Sequence, residues 1–295
     1  MNKSETMPVN SFILFNGHYH RKEDFGLSYQ NRAFRYGDAL FETMHANGTQ
    51  IQFFADHMIR LRFGMKTLGM KIPVNIENDT IEKEIVKLLH KNKLFQGVKI
   101  RLTVFRNDGG KYTPKDNSIS YLVETEYLEN EQYQLNTKGL SIGIFDQIKK
   151  PVNKLSGLKS ANALIYIQAG LFAQHNNYDD CLLINEQNHL AEGISSNLFL
   201  VKDKTLYTPP LSDGPVAGIL RKQILKIADS LHFKIVNDQS CDEQLLLQAD
   251  EVFLTNSISG IQWVLSYKER RYFNYTEKLL INELNKYAFH SEYKL

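Results

Sequence analysis

The chain has 295 residues, 42% hydrophobic and 23% charged, a composition that fits a soluble globular protein and a length that suggests two domains. A net charge of +2, with basic residues scattered along the sequence, leaves no electrostatic footprint for nucleic acid. No apolar run reaches the length of a signal peptide or a membrane span, and two distant cysteines make neither a metal site nor a disulfide framework; a cytoplasmic protein without a membrane partner is expected. The pairs Lys149-Lys150 and Arg270-Arg271 read as solvated faces.

Residues 12–16 are strand-like, and Asn16-Gly17 makes a hairpin turn into His18-Tyr19. Residues 36–46 read as a strand that Asn47-Gly48 turns into 51–54. Asp56 caps a helix whose inward stripe is Met58, Leu61, Met65 and Leu68. Another helix, capped at Asn78, Asp79 or Thr80, turns Ile81, Ile85, Leu88 and Leu89 inward. Val98, Ile100, Leu102 and Val104 alternate strictly, so this strand buries one face and carries Arg101, Thr103 and Phe105 on the other. Arg106 ends it, a loop runs to Pro114, and a strand returns through Ile119, Tyr121 and Val123. The polar stretch 128–136 is the best linker, dividing the chain into domains 1–130 and 131–295. Beyond it, strands are expected at 140–145, 181–185, 197–202, 205–208 and 251–255, and helices at 161–175, 219–231 and 276–287. The fold class is α/β or α+β.

Lys159 stands at the entrance of segment 163–173, in which only Tyr166 and Gln168 carry polar groups. A helix apolar on nearly every face is expected to be buried, and a lysine drawn out of water favours its neutral amine. That amine is a nucleophile able to form a Schiff base with an aldehyde or carbonyl compound. A lysine reaching back to solvent is the alternative. Glu192, in Glu-Gly-Ile-Ser-Ser-Asn, is a lone carboxylate between a turn and an apolar strand. Arg60 opens an amphipathic helix in His-Met-Ile-Arg-Leu and suits a phosphate. Gly218 permits close backbone approach just before Ile219-Leu220, where a helix start offers amides to an anion. Ser257 closes an apolar strand with hydroxyl and amide groups that can donate to the same anion.

In this order the segments resemble the fold-type IV pyridoxal-phosphate enzymes, the class IV aminotransferases, among them branched-chain and D-amino-acid transaminases and 4-amino-4-deoxychorismate lyase. The resemblance runs from about Phe12 to about Val264. It implies a two-domain D-amino-acid aminotransferase-like fold, with a smaller N-terminal α/β domain and a C-terminal pseudo-barrel domain. It implies pyridoxal 5'-phosphate joined to Lys159 of the Lys-x-x-Asn motif, with Asn162 also at the cofactor and Glu192 at the pyridine nitrogen. The phosphate is then held by Arg60, Gly218, the amides of Ile219 and Leu220, and the Ser257 hydroxyl. A homodimer is implied as well, its active site lying between the two domains and closed by a partner loop, acting on a small amino-acid-like substrate.

The reaction is read from three departures and likenesses. Ala163 follows Asn162, where branched-chain transaminases usually carry tyrosine. The loop 106–112 resembles the Arg-x-x-Gly-Gly-x-x-Tyr loop of aminodeoxychorismate lyases, one residue shorter before the tyrosine and with lysine where arginine is common. That likeness implies Arg106, Lys111 and Tyr112, with Tyr36, as substrate-binding residues. Thr43 stands where lyases tend to carry a catalytic threonine hydroxyl. The leading expectation is elimination of pyruvate from 4-amino-4-deoxychorismate to give 4-aminobenzoate, a step of folate biosynthesis. The alternative is transamination of a branched-chain or other amino acid with 2-oxoglutarate, and a remote one is a catalytically silent binding or scaffold protein.

Overall fold

The computed structural model describes residues 11–289, which fall into two compact units. The first runs through Glu131 and also takes in Lys159–Asn162; the second comprises Gln132–Leu158 and the chain from Ala163 onward.

The first unit opens with the hairpin β1 (Phe12–Phe15) and β2 (His18–Arg21), turned by Asn16 and Gly17 at positive φ. Helix α1 (Arg32–Tyr36) comes next, its start capped by the Asn31 side chain, which accepts from the Ala33 and Phe34 amides. The strand expected from residue 36 therefore begins later, as β3 (Ala39–Asn47), once Gly37 at φ +65° has ended the helix. Then follow β4 (Gln50–Ile51), α2 (Phe54–Thr67), α3 (Val74–Glu77), α4 (Ile81–Lys91), β5 (Gly97–Arg106) and β6 (Ile119–Tyr127). The six strands form one sheet in the order β2-β1-β6-β5-β3-β4, with every pairing antiparallel. Met58, Leu61 and Met65 of α2 and Ile81, Ile85, Leu88 and Leu89 of α4 are buried, as are Val98, Ile100, Leu102 and Val104 of β5. Burying such side chains contributes roughly 1.5–3 kcal/mol each.

The second unit contains β7 (Leu140–Lys150), α5 (Leu164–His175), β8 (Asp180–Asn185), β9 (Leu190–Gly193), β10 (Asn197–Lys202), β11 (Thr205–Tyr207), α6 (Ile219–Ser230), β12 (Lys234–Val236), α7 (Glu243–Gln248), β13 (Glu251–Asn256), β14 (Gly260–Tyr267), β15 (Arg270–Arg271) and α8 (Tyr275–Phe289). Its strands form a mixed sheet in the order β12-β11-β10-β13-β14-β7-β8-β9, with β15 paired to β14. Leu182, Leu198, Leu200, Val252, Leu254 and Val264 meet in its core. The expected linker is partly structural here, because the Tyr133 backbone exchanges hydrogen bonds with the Asn285 amide and Tyr133 is buried.

Two expectations need correction. Helix α5 is not buried all round: Ala169 and Ala173 pack near Phe145, Cys181 and Leu183, whereas Leu164, Ile167 and Leu171 are exposed. Composition alone showed how apolar the helix is, not which side meets the sheet. Lys150 is not on a solvated face either, being 3% exposed. Strand β7 runs five residues past its expected end and carries Lys150 inward. Among the described residues no helix is long and apolar enough to cross a membrane.

Candidate functional site

In the first unit, Lys159 is fixed through its backbone. The Phe41 amide donates to the Lys159 carbonyl at 3.0 Å, the Ala161 amide donates to the Ala39 carbonyl at 2.9 Å, and Leu40 bridges Ser160 in antiparallel fashion. Four residues thus extend β3 sideways, and the Lys159 amine comes to lie 4.4 Å from the centroid of the Phe41 ring. Strand alternation separates Phe41 and Thr43 from Glu42, which is buried. Arg101 stands opposite Thr43 across the β3–β5 ladder, with its guanidinium carbon 3.9 Å from the centroid of the same Phe41 ring. Burial lowers the Arg101 pKa and the carboxylates of Glu124 and Glu126 act against that, so the guanidinium stays a cation. The nearby Asn162 donates to the Gly37 carbonyl at 3.3 Å, and a Cβ at Gly37 would press on the Asn162 amide.

On the opposite face of β3, Glu42 organises the start of α2. Arg60 donates from Nε to Glu42 Oε1 at 2.8 Å and from Nη2 to Oε2 at 2.5 Å, while His57 Nδ1 lies 2.6 Å from Oε2. Burial lowers the His57 pKa, so a neutral imidazole donates its Nδ1 proton to the carboxylate. Burial by itself would raise the Glu42 carboxyl; the charge and hydrogen bonds of Arg60, with those of His57, outweigh it and bring the carboxyl down to about 2. In sequence His57 and Arg60 share one motif, but nothing local ties either to Glu42. The available signal was a carboxylate among apolar neighbours on the inward face of a strand.

The loop after β5 departs from expectation. Arg106 is 6% exposed, and its guanidinium donates to Asp38 at 2.9 Å, to the Leu68 carbonyl at 2.8 Å and to the Asn117 side chain. Arg32 reaches the same Asp38 oxygen and also donates to the carbonyls of Gly109 and Lys111. Arg106, expected to meet a substrate carboxylate, is therefore committed to holding the loop in place. Lys111 is exposed, and Tyr112, 91% exposed, leans on Tyr36 at 5.7 Å between ring centroids.

In the second unit, Glu192 on β9 is buried and meets three donors. Lys150 at the end of β7 donates to Oε1, Tyr166 on α5 donates to the same oxygen at 2.7 Å, and the Val216 amide donates to Oε2 at 2.8 Å. The turn after β9 is tied to Asp180, whose carboxylate accepts from the amides of Cys181 at 2.7 Å and Ile194 at 3.0 Å. Burial raises the Asp180 pKa to about 6 against those hydrogen bonds.

Close by in the same unit, α6 begins without a side-chain cap and without an acidic residue in its first turn, so its leading amides and dipole suit an anion. A Cβ at Gly218 would overlap the Asn197 amide oxygen, and Asn197 itself pairs with Thr255 across β10–β13. The Thr255 hydroxyl is buried without a hydrogen-bond partner, an orphan donor beside this cradle. Asn256 then accepts from the amides of Ile258 and Ser259, shaping the turn that carries Ser257. An uncapped helix start, a backbone with no room for a side chain and an unsatisfied hydroxyl together fit a phosphate. The buried Glu192 carboxylate fits the protonated nitrogen of a heteroaromatic ring. Gly218→Ala is expected to force Asn197 aside and weaken uptake of a phosphorylated ligand about tenfold or more; equilibrium titration with pyridoxal 5'-phosphate checks this. Uptake equal to that of the unchanged protein would remove Gly218 from the cradle.

A two-unit α/β protein carrying a lysine amine and an arginine against one aromatic ring, and a donor-bound carboxylate near a phosphate cradle, has the parts of a pyridoxal-phosphate enzyme. The chain belongs to the amino-transferase class IV family, whose model matches residues 39–267. It is 27% identical over 235 residues to the aminodeoxychorismate lyase of Vibrio harveyi, covering 78% of this chain and 83% of that protein. It is 28% identical over 268 residues to the branched-chain-amino-acid aminotransferase of Salmonella typhimurium, covering 86% and 84%. The crystal structure of the Escherichia coli branched-chain aminotransferase superposes with a TM-score of 0.86 over 97% of each chain at 24% identity, a likeness of fold. The protein is an enzyme of this family, whose cofactor is pyridoxal 5'-phosphate.

Proposed function

We propose that the protein is a transaminase acting on an α-amino acid, with a 2-oxo acid such as 2-oxoglutarate as amino acceptor. The observation that carries this reading is the Phe41 ring, against which both the Lys159 amine and the Arg101 guanidinium rest. A proton-carrying amine and a carboxylate-binding cation beside one apolar ring are what an amino acid with an apolar side chain needs. The pyridoxal ring, when bound, supplies the electron sink that stabilises charge as the substrate Cα–H bond breaks. Lys159 takes that proton as general base and returns it as general acid. Arg101 orients the substrate carboxylate, with the Thr43 hydroxyl beside it. Glu192 would meet the pyridine nitrogen, Asn162 steadies the segment that carries Lys159 through the Gly37 carbonyl, and Arg60, Gly218, the Ile219 and Leu220 amides and Ser257 would hold the phosphate.

Two points favour transamination over the lyase reaction first expected. Arg106 is held by Asp38, Asn117 and Leu68, which removes the main cation that a lyase-like loop was to supply. Branched-chain aminotransferases also recur among the relatives. The lyase reading retains the Vibrio harveyi relative and the position of Thr43 beside Phe41.

A stoichiometric half-reaction separates the two. L-Leucine, L-glutamate or D-alanine added to the holoenzyme without acceptor is expected to convert its absorption to that of pyridoxamine 5'-phosphate. No conversion with any of them, together with 4-aminobenzoate formation from 4-amino-4-deoxychorismate, decides for the lyase.

A further inference from the structure

Glu192 does not wait for its ligand as a loose carboxylate. One of its oxygens receives both the Lys150 amine and the Tyr166 hydroxyl, and the other receives the Val216 amide. Lys150 also donates to the Tyr166 oxygen at 2.5 Å, and its amine lies 4.9 Å from the centre of the Tyr166 ring, so the three side chains close a triangle. Burial, reinforced by the Glu192 charge, raises the Tyr166 pKa, so the phenol keeps its proton and remains a donor. The donors come from β7, from α5 and from the chain before α6, three separate parts of the second unit.

Resting on the pyridoxal-phosphate reading above, we propose that Lys150 and Tyr166 are positioning residues, which lock the Glu192 carboxylate in the orientation met by the cofactor's ring nitrogen. An ionised carboxylate accepts only, and three donors on two oxygens remove its freedom to rotate about the side chain. The entropy of orienting it is then lost during folding rather than on cofactor uptake, which is how preorganisation strengthens binding. Lysine suits the task in a buried setting, since its charge is matched by the carboxylate it steers. Neither residue belongs to the Lys-x-x-Asn or Glu-Gly-x-Ser-x-Asn motif: Lys150 precedes Lys159 by nine residues, and Tyr166 lies on α5 four residues after Asn162.

The test is a titration of the apoprotein with pyridoxal 5'-phosphate, followed by absorbance and by the circular dichroism of the bound cofactor. Lys150→Met is expected to weaken uptake about 10- to 100-fold, the range for a lost hydrogen bond to a charged group. It should also alter the dichroism of whatever cofactor still binds. Lys150→Arg, which returns a cation, is expected to recover most of both. Tyr166→Phe removes one oxygen and should weaken uptake several-fold; it serves where Lys150→Met does not fold. A purely structural pair would lower the unfolding temperature and leave affinity and dichroism as they were. That result, in Lys150→Met or in Tyr166→Phe, overturns the proposal. If the unchanged protein takes up no cofactor, the pyridoxal-phosphate reading fails instead, and this inference falls with it.

Discussion

Lys159→Ala is expected to lower turnover by more than about 10,000-fold, beyond the usual ceiling for losing general acid–base help. The amine is proposed both to join the cofactor covalently and to carry the substrate proton, so one truncation removes two roles. The fold should persist, because the hydrogen bonds that hold this residue run through its carbonyl and through the Ala161 amide, which alanine leaves in place. Lys159→Arg makes the sharper control: it keeps a cation near Phe41 but supplies no nucleophilic amine at neutral pH. It should be as inactive as the alanine variant. Steady-state turnover gives the first readout. Borohydride reduction followed by mass analysis of the peptide containing Lys159 gives the second, with a pyridoxyl adduct expected in the unchanged protein alone. Turnover of Lys159→Ala within tenfold of the unchanged enzyme removes Lys159 from the catalytic role.

The second large effect is on stability. Glu42→Gln keeps the shape of the side chain and removes its charge, leaving Arg60 and His57 around a neutral amide. Breaking one side of a buried ion pair costs about 3–5 kcal/mol. Glu42, 1% exposed and paired bidentately with Arg60, is such a case. A loss of that size corresponds to an unfolding temperature lower by on the order of 10 °C. The acid dependence separates this cause from simple loss of packing. With its folded-state carboxyl brought down to about 2, Glu42 adds stability that is fully present above its unfolded value near 4.3 and disappears as pH falls through about 2. Urea unfolding followed between pH 5 and 2 should show part of the unchanged protein's acid slope missing in Glu42→Gln. Identical slopes would sink the ion-pair account.

How far the sequence foretold this molecule depended on how local the cause was. The strict alternation of Val98, Ile100, Leu102 and Val104 is a property of adjacent residues, and it marks β5 correctly. Strand β14 leaves no such mark, because it starts at a glycine and mixes Gln262, Trp263 and Ser266 with apolar residues, so no period stands out. The apolar run of α5 was legible as a helix, but which side faces the sheet depends on Phe145 and Leu183, distant in sequence. The order of the motifs around Lys159, Arg60, Glu192 and Gly218 pointed to the family, which the family match then established. The groups that hold those residues were out of reach for the same reason as the exposed side of α5. Glu42 lies 18 residues before Arg60, and Lys150 lies 42 before Glu192. Arg101 was visible on the outward face of β5, yet only the pairing of β5 with β3 brings it to Phe41.

The four residues from Lys159 to Asn162 belong with the first unit, although the chain on either side of them belongs to the second. This stitch bears on how such a gene can be rearranged. A coding segment ending at residue 131 yields a sheet that lacks the lateral strip bonded to Ala39 and Phe41, and lacks the Lys159 amine altogether. Moving that segment between genes as a module would carry Arg60 and Arg101 and leave Lys159 behind. A library that recombines homologous sequences of this family should therefore set its crossover points outside 132–162.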